Sequence, residues 1–182
     1  MQWTIPGTTL TGQREEAQFL ENHFQTMFGT GGLVLSQVAN LTGLESYAIQ
    51  NWVKRGFLTK PERKRYSMRQ VCRILNINMM KAVMPLEEIC RLLGYINGEL
   101  DNESDDLIDD SQLYFMFVRL AARARYIGGN QSWDDALVEV AADYTEPVPG
   151  AREKLIKVLR IMLTAWVAAQ LRYQAEKMMT QL

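Results

Sequence analysis

Apolar residues recur along most of this 182-residue chain at the three- and four-residue spacing of amphipathic helices. The pattern predicts an all-α fold. Outside Leu35 to Tyr66, helices are expected over Gln13 to Phe28, Met68 to Val83, Pro85 to Tyr95, Gln112 to Tyr126, Ser132 to about Tyr144, and about Ala151 to Met179. Residues 1–12 are expected to be extended or frayed, and the turn or hinge Gly29 to Gly32 should break the chain. The expected N-caps are Ser67, Ser111 and Ser132, and Pro85 suits the first position of its helix.

The segment from Leu35 to Tyr66 predicts two short helices, a tight turn and a basic loop. Ser36 is the expected cap of the first helix, and Thr42-Gly43-Leu44 is the expected turn, since glycine tolerates a positive φ. The second helix is expected from about Glu45 to Arg55. One of its faces is apolar and suited to a core; it carries Ala48, Ile49, Trp52 and Val53.

The other face of the second helix carries side chains that can form hydrogen bonds: Ser46, Tyr47, Gln50, Asn51 and Lys54. In the major groove, Asn and Gln recognise adenine edges, and Lys contacts guanine or phosphate. The loop beyond it adds candidate phosphate contacts at Lys60, Arg63, Lys64, Arg65 and Tyr66. The arrangement predicts a helix-turn-helix with a wing. The alternative interpretation is an ordinary two-helix hairpin beside a solvated basic loop.

The residues from Gly43 to Leu58 resemble the recognition helix region of MerR-type winged helix regulators, and Arg65-Tyr66-Ser67 resembles the step that closes their wing. Gln50 to Lys54, Pro61 and Lys64-Arg65-Tyr66 resemble more closely a bacterial family known as domain of unknown function 1836. The resemblance covers roughly residues 33 to 110. It implies a winged helix DNA-binding domain, with a wing shorter than in most MerR-type proteins.

Charge is segregated along the chain although its net value is only −1. Residues 33–75 carry eight Lys or Arg and two Glu, whereas residues 76–110 carry two Lys or Arg and nine Asp or Glu. This distribution indicates one face meant for a polyanion. We predict an N-terminal arm and helix over 1–32, a DNA-binding domain over 33–110, and a helical dimerisation or sensing domain over 111–182.

The acidic run from Glu99 to Asp110 is the predicted boundary between the last two domains. Its spacing fails the calcium-loop pattern, because Asp106 occupies the position that requires glycine. It is therefore interpreted as a solvated linker whose last carboxylates cap the next helix.

The last predicted helix is apolar nearly all round from Val158 to Ala169, yet too short to span a membrane, which needs about 20 apolar residues. A helix apolar on every side must be buried on every side. We expect it to form a homodimer interface through Leu159, Met162, Leu163, Trp166 and Val167. A purely internal core is the alternative.

No pattern in the chain indicates catalysis. His23 lies alone on a predicted helix surface, and Cys72 and Cys90 are expected to be buried thiols rather than metal ligands. No cofactor or metal is expected, and the N-terminus shows no secretion signal, so a cytoplasmic location is predicted. The predicted partners are double-stranded DNA and a second copy of the chain, with no membrane; a small-molecule effector is left open.

The predicted function is that of a sequence-specific DNA-binding transcription regulator. Its groove contacts would come from the polar face of the second helix and its phosphate contacts from the basic wing. The alternative is a non-catalytic protein-interaction module that keeps the winged helix fold. The basic loop distinguishes the two, because a module that binds protein has little need for three consecutive cations beside a polar helix face.

Overall fold

The computed structural model describes residues 2–124 and 132–181, and over these ranges the protein is mostly helical with two small two-stranded sheets. The all-α expectation is therefore right for the bulk of the chain and omits four short strands. The sequence also predicts a turn at Gly128 to Asn130, and this turn and Tyr126 lie outside the described residues.

The N-terminal residues form an antiparallel hairpin of β1 (Gln2–Thr4) and β2 (Thr11–Gln13). These residues are extended, as expected, but they are not frayed, because Trp3 is buried edge-on against Trp166. The next segment, Arg14–Phe19, is a 3₁₀ helix, and only α1 (Leu20–Phe28) is α-helical. The single helix expected from Gln13 is thus corrected to two pieces.

A second sheet pairs β3 (Leu33–Val34) with β4 (Arg65–Tyr66) and encloses α2 (Leu35–Thr42) and α3 (Ser46–Lys54). Val34, not Ser36, occupies the N-cap of α2, because the chain passes directly from β3 into the helix. The Gln37 side chain accepts a hydrogen bond of 3.0 Å from the Val34 amide and so completes this helix start.

The centre of the fold is α4 (Met68–Met80), most of whose side chains are buried against the surrounding helices. Its N-cap is Ser67, as predicted: the hydroxyl accepts from the Gln70 amide, and the Gln70 side chain accepts from the Ser67 amide. α5 (Leu86–Asn97) follows with Pro85 at its N-cap, one position before the expected site.

The remaining helices surround α4. They are α6 (Asp110–Arg123), α7 (Trp133–Val140) and α8 (Ala151–Met179). Asp109 caps α6 and accepts hydrogen bonds from the Ser111 and Gln112 amides. The expectation that the last carboxylates of the acidic run cap this helix is therefore confirmed, whereas Ser111 is not the cap. Ser132 caps α7 as predicted, and α8 begins and ends where the sequence indicated.

The acidic run is not simply a solvated linker. Asp106 accepts a hydrogen bond of 2.6 Å from Arg69, and Asp110, which is 1% exposed, accepts one of 3.3 Å from Arg73. Both arginines lie in α4, so these pairs hold the segment before α6 against the central helix. α4 and α6 share one core, and the predicted domain division at residue 110 stays a prediction.

Burial works against the ionised carboxylates of this segment. It raises the pKa of Asp106 from 3.8 to about 6, with Arg69 opposing the rise, and it raises the pKa of Asp110 against the effect of Arg73. Between pH 3.8 and about 6 the folded state holds more protons on Asp106 than the unfolded state. The contribution of Asp106 to stability therefore declines as pH rises through this range.

Replacing Asp106 with Asn should stabilise the protein by about 1–2 kcal/mol at pH 7 and by much less at pH 4. The amide oxygen still accepts from Arg69, while the cost of a buried charge is removed. Urea unfolding at the two pH values measures the difference. Asp101→Asn is the control, since Asp101 belongs to the same run and is exposed. Equal destabilisation by Asp106→Asn at both pH values would contradict this interpretation.

The predicted dimer-interface residues lie inside the chain's own core. Exposure is 0% for Leu159, Met162 and Leu163, 4% for Trp166 and 8% for Val167. This assignment is wrong because α4, α5, α6, α7 and the N-terminal hairpin supply more covering surface than the sequence suggested. Trp166, for example, packs edge-on against Phe117 of α6 as well as against Trp3. Among the helices of the described ranges, none has the length and apolar character needed to cross a membrane.

Candidate functional site

Three features stabilise the turn between α2 and α3: the glycine at position 43, the hydrogen bonds of the Thr42 hydroxyl, and a hydrogen bond from Asn78. Gly43 has a φ of 69°, and a Cβ there would lie 3.2 Å from the Thr9 side chain, so both conformation and space favour glycine. The Thr42 hydroxyl donates to the Val38 carbonyl (2.8 Å), and it accepts from the Leu44 amide (3.2 Å). The side-chain amide of Asn78, in α4, donates to the Thr42 carbonyl at 2.8 Å. The angle between the two helices is thereby fixed.

α3 separates into the two faces that its sequence predicts. Ile49 and Trp52 are buried, and Ala48 and Val53 are half-buried. On the opposite side Tyr47 is 72% exposed, and Gln50, Asn51 and Lys54 are exposed beside it, while Ser46 is half-buried at the helix start. The four exposed positions recur at three- and four-residue steps, so they form one polar surface.

Residues 60–66, here called the basic hairpin, turn back sharply after α3. The Arg65 amide donates to the Glu62 carbonyl at 2.8 Å, which leaves Arg63 and Lys64 at the tip. Both tip residues have positive φ, 46° and 63°, the combination required by a type I′ turn. Side chains other than Gly, Asn and Asp are disfavoured in this conformation, so the two cations are kept at some cost in stability.

The base of the basic hairpin is attached to the body by three contacts. Gly32 lets the strands approach, because a Cβ there would lie 2.6 Å from the Tyr66 carbonyl oxygen. The Arg65 guanidinium donates to the Gly32 carbonyl at 2.9 Å, and the side-chain amide of Gln70 donates to the Lys60 carbonyl at 3.0 Å. The hairpin, which follows α3 in the chain, is therefore fixed against β3 and the start of α4.

Tyr66 is not a surface residue, which corrects its prediction as a nucleic-acid contact. It is 3% exposed and pairs with Leu33 in the small sheet, and burial raises its pKa above 10. The side chain points to the core because Arg65 and Tyr66 alternate across a strand, and only the first faces solvent. Tyr66 therefore anchors the hairpin to the core, and contact with a nucleic acid would fall to the exposed residues Arg63, Lys64 and Arg65.

Two supporting residues were missed from the sequence, Gln70 and Asn78. The Ser67-to-Gln70 spacing of a capping box was available as a signal for Gln70. No signal existed for Asn78, whose two acceptors, the Thr42 and Gly7 carbonyls, lie 36 and 71 residues away in the chain.

The positive charges of this surface are not neutralised within the described chain. Over residues 2–124 and 132–181 no carboxylate lies within 4.0 Å of the side-chain nitrogens of Lys54, Lys60, Arg63, Lys64 or Arg65. Arg55, by contrast, pairs with Glu87 of α5, and Arg69 and Arg73 pair with the acidic segment. Lys54 on the polar face of α3 and the four cations of the basic hairpin are therefore available to an anionic partner.

An open cavity of about 1130 Å³ lies behind the basic hairpin. Lys60, Arg63 and Arg65 line one part of it, and Leu100 and Asp101 of the acidic run line another. Its walls also include the start of α4, so it connects the hairpin to the centre of the fold.

The other candidate chemistry is distributed through the fold. His23 is exposed on α1, as predicted. Cys72 is buried and Cys90 is only half-buried, which corrects the expectation for the second thiol; burial raises the pKa of both. Within the described residues, no group of three or more His, Cys, Asp or Glu is placed to hold a metal ion.

Together, the fold and the site define a mostly helical protein with a polar helix face beside a basic hairpin. The family model described as "Domain of unknown function (DUF1836)" matches residues 18–117. The chain belongs to this family, as its resemblance indicated, and the match extends beyond the site into α1 and α6.

A curated relative is similar over a shorter stretch. "Uncharacterized protein YkrK" of Bacillus subtilis (strain 168) is 34% identical over 84 residues, which is 44% of this chain. The aligned stretch spans 36% of the length of that protein. No solved structure matches the chain.

Proposed function

We propose that this protein is a sequence-specific DNA-binding transcription regulator of MerR-like winged helix-turn-helix type. In this proposal α2 and α3 are the helix-turn-helix and the basic hairpin is the wing. The observation that carries it is the polar face of α3 beside five cations that no carboxylate of the described chain neutralises.

The proposal divides the surface by chemistry. Tyr47, Gln50 and Asn51 are the exposed side chains of α3 that can read base edges, with Ser46 at the N-terminal end of the helix. The cations are the phosphate contacts: Lys54, Lys60, Arg63, Lys64 and Arg65. Base contacts give sequence preference, whereas phosphate contacts give affinity and orientation.

One observation favours the alternative of a protein-interaction module. Tyr47 is an aromatic side chain with 72% exposure, and aromatic residues are enriched at protein–protein interfaces. Such a module would use the same face of α3 without a preference for any DNA sequence.

Selection of bound sequences from a random duplex pool by the purified full chain separates these two functions. A DNA-binding regulator enriches a defined motif at moderate salt, whereas an interaction module enriches none. Absence of enrichment, together with no binding to any duplex at low salt, would reject the proposal.

The variant Asn51→Ala should weaken binding to the selected motif by about 1–3 kcal/mol and relax the preference at particular base pairs. Asn51 is exposed on the polar face, so its loss should leave the fold intact. Asn22→Ala is the matched control, because Asn22 is an exposed helical asparagine on α1. A selected motif unchanged by Asn51→Ala would show that α3 is oriented differently on DNA.

We further propose that the regulator acts as a homodimer, because one winged helix contacts too few base pairs to define a site in a genome. For the small-molecule effector, the cavity behind the basic hairpin is the proposed location. A ligand there would contact Arg63 and Arg65 and would compete with DNA phosphates for them.

A further inference from the structure

The cavity behind the basic hairpin has one wall that attracts anions. Lys60, Arg63 and Arg65 line it, and Glu62 is the one carboxylate that the hairpin adds. Within the described residues, no carboxylate lies within 4.0 Å of the side-chain nitrogens of these three cations. The start of α4 lines the same cavity and adds the partial positive charge of a helix N-terminus. Such a surface favours a phosphate group.

A buried carboxylate belongs to another part of the cavity lining. Asp110 is 1% exposed, and its Oδ2 accepts a hydrogen bond from the Arg73 guanidinium at 3.3 Å. Its Oδ1 is buried and has no hydrogen-bond partner over residues 2–124 and 132–181. A buried acceptor without a donor is costly, so such groups are generally satisfied. Because Asp110 lines the cavity, a hydroxyl group of a bound ligand can supply that donor.

The rest of the lining also favours a polar ligand. Hydroxyl and amide side chains contribute to it, namely Thr30, Thr59, Ser67 and Gln70. Its apolar side chains, among the described residues, are Phe28, Met68 and Leu100. An apolar ligand would remove water from the polar groups without replacing their hydrogen bonds, which is costly. The volume of about 1130 Å³ also accepts a ligand much larger than a phosphate ion.

We propose that this cavity binds a phosphorylated sugar. The phosphate contacts Lys60, Arg63 and Arg65, and a sugar hydroxyl donates to Oδ1 of Asp110. The inference names the chemical class of the effector, and only the ligand's role as an effector rests on the proposed function. In that role, a phosphate held by Arg63 and Arg65 excludes a DNA phosphate from the same side chains. A free sugar phosphate and a nucleotide share this chemistry.

Isothermal titration of the full chain without DNA tests the ligand class. At least one of ribose 5-phosphate, glucose 6-phosphate and AMP should bind about tenfold more tightly than n-butyl phosphate, a phosphomonoester without hydroxyls. One charge-assisted hydrogen bond to a buried carboxylate accounts for this preference. AMP binding more tightly than ribose 5-phosphate identifies a nucleotide as the source; otherwise the source is a free sugar phosphate. No binding of the three at about 10 mM, or equal binding of n-butyl phosphate, would overturn the proposal.

The variant Lys60→Gln tests the phosphate wall. It should weaken the tightest of the three probes by about tenfold, because it removes a charge-assisted contact. The fold is retained, since the side chain is exposed and Gln70 donates to the Lys60 backbone carbonyl. Lys54→Gln is the matched control, because Lys54 is exposed on α3 and is not among the described residues that line the cavity. Equal weakening by both variants, or none by Lys60→Gln, would overturn the assigned phosphate site.

The variant Asp110→Asn tests the sugar side. Arg73 retains the amide oxygen as its acceptor, so the NH₂ group replaces Oδ1, and the ligand's charge-assisted hydrogen bond becomes a weaker neutral one. The tenfold preference over n-butyl phosphate should fall to about threefold. Both probes carry the same phosphate, so their ratio is insensitive to the altered charge of the cavity. An unchanged preference would overturn the assignment of Asp110.

Thermal unfolding confirms that each variant folds, and the comparison of probes on the wild-type chain tests the proposal even if Asp110→Asn does not fold. None of these measurements uses DNA. Failure of the titrations therefore leaves the DNA-binding proposal intact, and failure of the duplex selection leaves the sugar-phosphate site intact.

Discussion

Raising the salt concentration from about 50 to about 200 mM should weaken DNA binding by about 10³- to 10⁴-fold. The dimer presents Lys54, Lys60, Arg63, Lys64 and Arg65 twice, and about six to eight of these ten cations are expected to contact phosphates. Each contact releases counterions and contributes about −0.9 to the slope of log affinity against log salt, so the slope should be about −5 to −7.

Fluorescence anisotropy with a labelled duplex that carries the selected motif measures this slope. Because the cations of the surface have no ion-pair partner within the described chain, little of the expected salt effect is lost to internal competition. Binding that is almost independent of salt would be incompatible with recognition of DNA through the basic hairpin.

The second large effect is expected from exchanging the hairpin tip, Arg63→Asn with Lys64→Gly. This removes two cations from each subunit, so the salt slope should become less negative by about 3 to 4, and affinity near physiological salt should drop by about 10²- to 10³-fold. Stability should rise at the same time by about 1 kcal/mol, because Asn and Gly are the preferred residues of a type I′ turn.

A gain in stability together with a loss of binding separates the role of the hairpin in recognition from any role in folding. The charge-matched control is Lys81→Gln with Lys177→Gln, which removes two exposed lysines outside the site. Lys81 follows the far end of α4, about 20 Å from the hairpin base. If the control lowers affinity as much as the tip exchange, total charge rather than the hairpin determines binding.

Local features of the site could be predicted because their causes are close in sequence. Gly43 ends α2 in the conformation that the turn requires, and the alternation of apolar and polar residues assigns Trp52 to the core and Asn51 to the surface. Helix caps at Ser67 and Ser132 follow from the same kind of short-range hydrogen bond.

Errors arose where the environment of a side chain depends on distant segments. Tyr66 looked like a surface contact because it follows three cations, yet its pairing with Leu33 across the small sheet buries it. Asp110 was expected to be solvated because it lies in an acidic run, but it is buried and accepts a hydrogen bond from Arg73 of α4.

The sequence by itself determined the mostly helical fold, the α2–α3 pair, the two faces of α3 and the concentration of positive charge beside it. These depend on periodicity and composition, which are properties of short stretches. Only the tertiary structure decided which side of α8 is covered. Periodicity shows that α8 is apolar on more than one side. It cannot show which of these sides is covered by the N-terminal hairpin, α6 and α7. That packing buries Leu163 and Trp166 and leaves Leu171 exposed.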